Sequence, residues 1–147
     1  MKIISKNSGQ TKKIAADLAK KILKTQNSEA AVVALVGDLG AGKTTFAQGF
    51  AKALGIRRRI VSPTFLIMRN YQLLITNYRI LWHVDAYRIN KPQELTSLGF
   101  KKILADRHNI LLIEWAEKIK KILPRNTIWI NFQHGAKENK RLIEISP

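Results

Sequence analysis

Ala31-Val32-Val33-Ala34-Leu35-Val36, running straight into Gly37-Asp38-Leu39-Gly40-Ala41-Gly42-Lys43-Thr44, is the stretch on which the fold turns. Its first six residues are apolar without alternation, the pattern of a short strand buried on both faces at the centre of a parallel sheet. The next eight fit G-x-x-x-x-G-K-[ST] in full. Thr44 to Leu54 then resumes helical spacing, and Gly55 is a natural stop. Glycines at 37, 40 and 42 let the backbone curl so that the amides of Asp38, Leu39, Gly40, Ala41 and Gly42, with the helix N-terminus, form a cradle for phosphate oxygens. Lys43 then supplies a compact charge to the β- and γ-phosphates, the Thr44 hydroxyl suits the Mg²⁺ that bridges them, and Thr45 offers a hydroxyl toward the α-phosphate.

Upstream, Ile14, Leu18 and Ile22 recur at four-residue spacing opposite a lysine face, which predicts an amphipathic helix over 11–24 with Thr11 as its N-cap. Downstream, the patterns predict strands over Ile60–Tyr71, Gln72–Thr76 and Tyr78–Val84, the last two folded into a hairpin near Thr76-Asn77. A short helix opening at Lys91-Pro92 and ending at Gly99 follows, then another over 100–106. Asn109–Ile113 reads as a second buried strand and Ala116–Leu123 as a helix stopped by Pro124. Asn126–Gln133 and Arg141–Ile145 form a closing hairpin around His134-Gly135-Ala136. The order of elements predicts a single α/β domain over 1–147: a P-loop NTPase-like three-layer sandwich whose sheet is mainly parallel with antiparallel edge strands.

A nucleotide hydrolase of this kind needs carboxylates for Mg²⁺ at the C-terminal ends of neighbouring strands, where open α/β sheets bind their ligands. Two positions fit: Ile110-Leu-Leu-Ile-Glu114, an apolar run ending in an acid, and Leu81-Trp-His-Val-Asp85, the same device interrupted by His83. Glu114 and Asp85 are therefore expected near the metal, directly or through water, the competing reading being a solvated strand end. Asp38 either positions the attacking water or braces the loop. In Ser62-Pro63-Thr64-Phe65, Thr64 is a candidate γ-phosphate sensor on a switch-like segment, or part of an ordinary Pro turn. His83 reads as a core histidine, and His108 and His134 as surface residues.

The chain of 147 residues carries 26 Lys and Arg against 10 Asp and Glu, a net charge of +16. That surplus points to anionic partners, although 19 Ile, 17 Lys and 9 Asn also match the bias of AT-rich coding. Hydrophobic residues at 46% are enough for a packed core and argue against disorder. The lack of Cys excludes a disulfide framework, a thiol nucleophile and a thiolate metal site. No apolar stretch approaches the ~18 residues of a membrane span, and the N-terminal residues resemble neither a secretory signal nor an Arg-rich transit peptide. The expectation is a cytoplasmic protein that makes no membrane contact, monomeric in isolation.

Taken together, Gly37–Phe46, Ser62–Phe65, His83-Val-Asp-Ala-Tyr-Arg88, Leu98-Gly-Phe100 and Ile113-Glu-Trp-Ala-Glu117 resemble the TsaE family, small bacterial ATPases of tRNA threonylcarbamoyladenosine (t6A) synthesis, in order and spacing over about residues 10–125. The resemblance implies ATP and Mg²⁺ as ligands. It also implies hydrolysis coupled to the TsaB–TsaD complex, which transfers the threonylcarbamoyl group to adenosine 37 of ANN-decoding tRNAs. By the same resemblance Lys43 and Thr44 hold phosphate and metal, Asp85 and Glu114 form the metal site, Thr64 belongs to the switch-like segment and Trp115 lies close to the nucleotide. Ala116 stands where the family usually has Pro, Leu66 where a polar residue often follows SPTF, and Lys101-Lys102 where acidic residues are common.

Two other classes fit the residues less well. A small-molecule kinase also uses a phosphate loop, but it normally closes an Arg-bearing lid for which no inserted segment exists here. A basic RNA-binding module would grip backbone phosphate through the same glycines, though no aromatic-basic repeat supports it. Direct or complex-mediated tRNA contact stays open on the charge alone. Guanine reading is disfavoured because Asn90-Lys91-Pro92-Gln93 lacks the terminal acid of N-K-x-D.

Overall fold

The apolar run at 31–36 forms the middle strand of a seven-stranded sheet in a computed structural model that describes every residue except Leu39, Ala41 and Ile75. In chain order the elements are β1 (Lys2–Ser5), α1 (Ser8–Leu23), β2 (Ala31–Gly37), α2 (Lys43–Ala53), β3 (Met68–Gln72), β4 (Ile80–Asp85), α3 (Gln93–Thr96), α4 (Phe100–Ala105) and β5 (Asn109–Glu114). A 3₁₀ helix (Ala116–Ile122), β6 (Ile128–His134) and β7 (Arg141–Ser146) complete it. The strand order is β1-β7-β6-β2-β5-β4-β3. The pairs β2/β5, β2/β6 and β4/β5 are parallel, while β3/β4, β6/β7 and β1/β7 are antiparallel. The expected parallel centre with antiparallel edges is therefore present.

Because β2 and β5 are covered on both sides, their apolar residues are buried apart from the half-buried Val36, and successive ones face opposite layers. Val33, Leu35, Ile110 and Leu112 pack on one face against Ala15, Leu18, Phe46 and Phe50 of α1 and α2. Val32, Ala34, Leu111 and Ile113 pack on the other against Leu95, Phe100 and Ile119 of α3, α4 and the 3₁₀ helix. This is the three-layer arrangement. The two long helices approach closely because α2 carries Gly49 at the crossing: a Cβ there would lie 2.6 Å from the Lys12 Cα and 2.7 Å from its carbonyl oxygen. Phe132 of β6 meets Phe46 edge-on, ring centroids 5.5 Å apart, and ties the start of α2 to the sheet.

Several local expectations are corrected. Helix α1 starts at Ser8 with Asn7 as N-cap, its side-chain oxygen accepting from the Gln10 amide at 2.9 Å. Thr11 is instead a buried residue of the first turns, its hydroxyl 2.7 Å from that of Ser5. Residues 60–67 do not form a strand. The amides of Leu66 and Ile67 both bond the Pro63 carbonyl, a turn that leaves Ile67 at φ 66° and delays the strand to Met68. Of the strand expected over Gln72–Thr76 only Gln72 belongs to β3, which pairs with β4 up to Gln72↔Ile80; Thr76 bonds Tyr78 beyond it, and Ile75 lies outside the described residues. Ala116–Ile122 is a 3₁₀ rather than an α-helix, with Ile119 at φ −123° interrupting it, and Leu123 returns to extended backbone before Pro124. β1, unmarked by alternation, forms by pairing with β7.

Candidate functional site

Parallel strands end on the same side of a sheet, so the residues closing β2, β4 and β5 converge there. Asp85 and Glu114 are register partners across β4 and β5, and Glu114 is also level with Leu35, two residues before the glycine loop. The two carboxylates expected from sequence are thus side by side next to the loop, and both are buried rather than solvated strand ends. Within the loop, Gly40 and Gly42 have φ of 76° and 105°, left-handed geometry that a side chain would strain. Gly42 stands immediately before α2, whose first residues are Lys43 and Thr44. The expected contributions of Leu39 and Ala41 lie outside the described residues.

Lys43 folds back over the loop: its ammonium donates to the Gly37 carbonyl and lies 3.7 Å from the centre of the Trp115 ring. Burial lowers its pKa below the usual lysine value, against the opposing negative charges of Glu117, Glu114, Asp85 and Asp38. Asp38 itself is exposed, and Thr45 is half-buried. Trp115 sits at φ 57°, the turn that ends β5 and starts the 3₁₀ helix, and Tyr87 packs against it at 5.1 Å between centroids.

A chain of hydrogen bonds runs from α2 into the sheet. The Thr44 hydroxyl lies 3.4 Å from that of Ser62, Ser62 donates to Glu114 Oε2 at 2.7 Å, and His83 Nε2 meets the same oxygen at 2.7 Å. Among the described residues Glu114 Oε1 takes no hydrogen bond. Burial, the largest single influence, pushes the Glu114 carboxyl up. The hydrogen bond and charge of His83, the Ser62 hydroxyl and the Lys43 ammonium together outweigh it and hold the group below the usual carboxylate value. Alongside, Thr64 donates to Asp85 Oδ2 at 2.9 Å while the Tyr87 amide donates to Asp85 Oδ1 at 2.9 Å. The Pro63 turn therefore hangs on both carboxylates, through Ser62 and Thr64.

Sequence reading placed Lys43, Thr44, Thr64, Asp85, Glu114 and Trp115 in one site, and the fold brings all six together. Ser62 joins them with no signal of its own beyond its place in Ser62-Pro63-Thr64-Phe65. His83 is the buried core histidine expected, but its partner is a site carboxylate, and its Nδ1 has no partner among the described residues. Arg141 of β7 donates to the Gly40 carbonyl at 3.0 Å across 101 residues of chain, a contact with no local signal.

The donors gathered here are hydroxyls and carboxylates, hard oxygen ligands of the kind Mg²⁺ takes, beside an ammonium that can release a main-chain carbonyl for a phosphate. Fold and loop together define a P-loop NTPase-like α/β protein. The TsaE family, described as threonylcarbamoyl adenosine biosynthesis protein, matches residues 5–143. The chain belongs to that family. The Rickettsia felis protein named tRNA threonylcarbamoyladenosine biosynthesis protein TsaE is 38% identical over 144 residues, 97% of this chain and 78% of its own length. The Haemophilus influenzae protein of the same name is 35% identical over 113 residues, 77% of this chain and 69% of its own. A crystal structure of Bacillus subtilis YdiB superposes with a TM-score of 0.75 at 31% identity, covering 97% of this chain and 82% of that one. No helix among the described residues is long and apolar enough to cross a membrane.

Proposed function

We propose that the chain is a Mg²⁺-dependent ATPase that works with the TsaB–TsaD complex in threonylcarbamoylation of adenosine 37 in ANN-decoding tRNAs, in the cytoplasm. The observation that carries the ATPase reading is the bonded series Thr44, Ser62, Glu114, His83 beside Lys43, at the mouth of a glycine loop that opens a helix. Family membership carries the process and the partner complex. Thr44, Glu114 and Asp85 would hold Mg²⁺, which would supply positive charge to offset the charge that develops on the phosphate in the reaction.

The rest falls to the protein's own groups. The amides of residues 38–44 hold the phosphate tail, and Lys43 exchanges the Gly37 carbonyl for it. Thr44 and Glu114 serve the metal, with Asp85 beside them. His83 and Ser62 fix Glu114 through Oε2 and leave Oε1 to face a ligand shell. Thr64, held by Asp85, reports the γ-phosphate through the Pro63 turn. Trp115 covers the ammonium and flanks the nucleotide. Phe65 is 82% and Leu66 59% exposed on the same turn, apolar surface suited to the partner complex that would cover the site.

Phosphate release from ATP, measured with and without purified TsaB–TsaD and tRNA, tests this. Stimulation by the partners, lost in Lys43→Ala and Glu114→Ala, is the expected result. Turnover no greater with partners than without overturns the coupling, and wild-type rates in either variant overturn the site.

A further inference from the structure

Away from the phosphate loop, the side of the molecule where α1, α2 and β3 meet carries an open groove of about 1800 Å³. Basic residues line it from α1, from α2 and from the segment that follows α2. Lys12, Lys13 and Lys20 line it from α1, where they share a face with the small residues Gly9 and Ala16. Lys52 lines it from the end of α2, and the exposed run Arg57-Arg58-Arg59 closes the rim. That makes seven cations, and among the described residues no Asp or Glu lines the groove.

The groove is also built. Gly49 at the helix crossing lets the lysine face of α1 approach α2 within van der Waals contact, so the cations stand on a rigid floor rather than a tail. The Arg58 guanidinium lies 4.7 Å from the centre of the Tyr71 ring, which holds its planar donor fork at the wall of the groove. Tyr71 itself is 3% exposed, and its hydroxyl has no hydrogen-bond partner among the described residues. None of Gly37, Gly40, Gly42, Lys43, Thr44, Ser62, Thr64, Asp85, Glu114 or Trp115 lines the groove, which sets it apart from the candidate nucleotide site.

We infer that this groove binds the sugar-phosphate backbone of folded RNA, and that tRNA meets the chain here. An open concave surface lined by seven cations suits contact with a phosphate backbone, and Arg is suited to bidentate phosphate contact. The choice of tRNA rests on the function proposed above, whereas the RNA site rests on the groove. Positive charges at this spacing read backbone rather than base, so binding is steeply salt-dependent and tolerant of sequence.

The test is fluorescence anisotropy of a labelled tRNA transcript with the full-length chain across a salt series. Two variants remove the same charge: Arg57→Gln/Arg58→Gln in the groove, and Lys101→Gln/Lys102→Gln on α4, which packs against the other face of the sheet. The groove variant is expected to weaken binding about tenfold near physiological salt and to flatten the log–log salt slope by about two. The α4 variant is expected to stay within about twofold, by the same contact arithmetic. Equal losses in both, or none in either, overturn the site, and competition by polyglutamate as strong as by tRNA overturns RNA in favour of an acidic protein. ATP binding, read separately with a fluorescent analogue, holds or fails independently, so the two proposals fall separately.

Discussion

Replacing His83 by Ala isolates what the buried pair contributes. The side chains of His83 and Glu114 are 1% and 4% exposed, and their contact is 2.7 Å. Removing the imidazole leaves Glu114 with the Ser62 hydroxyl and the Lys43 charge against its desolvation, which is the largest of the influences acting on it. Breaking a buried pair by deleting one partner costs about 3–5 kcal/mol. At about 2–4 °C per kcal/mol for a chain of this size, Tm falls by about 6–20 °C.

The pH dependence has a definite sign. In the wild type the Glu114 carboxyl is held below its usual value, so its contribution is present above the unfolded-state pKa and lost as pH falls through the folded one. In the variant that carboxyl rises, and acidification relieves it. Urea unfolding of nucleotide-free protein in EDTA should therefore show a gap between the two proteins that is widest at about pH 7 and narrows toward about pH 4. Glu114→Gln added to His83→Ala should recover part of the loss, a coupling of about 1–3 kcal/mol. A loss under about 1 kcal/mol, or a gap unchanged across that range, would refute the reasoning.

Three further outcomes are expected. Gly49→Ala should lower stability by about 1–2 kcal/mol net of the gain in helix propensity, because the backbone of Lys12 cannot yield to a Cβ at 2.6 Å; an unchanged or raised Tm in calorimetry contradicts that. Burial holds Lys43 below the usual lysine pKa, so rising pH removes its charge early. ATP affinity should fall on the alkaline side before an exposed lysine would titrate, and Lys43→Arg, which stays charged, should not show that fall in a binding titration. Ser62→Ala should raise the Mg²⁺ concentration needed for half-maximal phosphate release by about tenfold, as loss of a hydrogen bond to a charged group implies, with Ser62→Thr restoring it; equal Mg²⁺ requirements in both variants would exclude the role.

Most of the central architecture was legible because it follows from periodicity and from residues with few alternatives. An unbroken apolar strand must be covered on two sides, closely spaced glycines let the loop take positive φ, and acids that end apolar runs emerge at strand ends. Those constraints placed β2, β5, the loop, Asp85 and Glu114. Legibility failed where long-range contact sets local conformation. The extended look of Ile60–Ile67 yielded to the Pro63 turn, which is pinned by Ser62 to Glu114 and Thr64 to Asp85. β1 is strand because β7 offers an edge.

The amino-acid order by itself determined the glycine loop, its flanking strand and helix and the two carboxylates, since each is written in contiguous residues whose chemistry is nearly independent of neighbours elsewhere. Only the tertiary structure decided that His83 and Ser62 share one oxygen of Glu114, that Arg141 reaches Gly40, and that scattered lysines of α1 join Arg57-Arg58-Arg59 in one groove. These are relations between surfaces brought together by burial of apolar faces. Burial fixes where a helix face points, and no run of sequence read alone carries the partner it will meet.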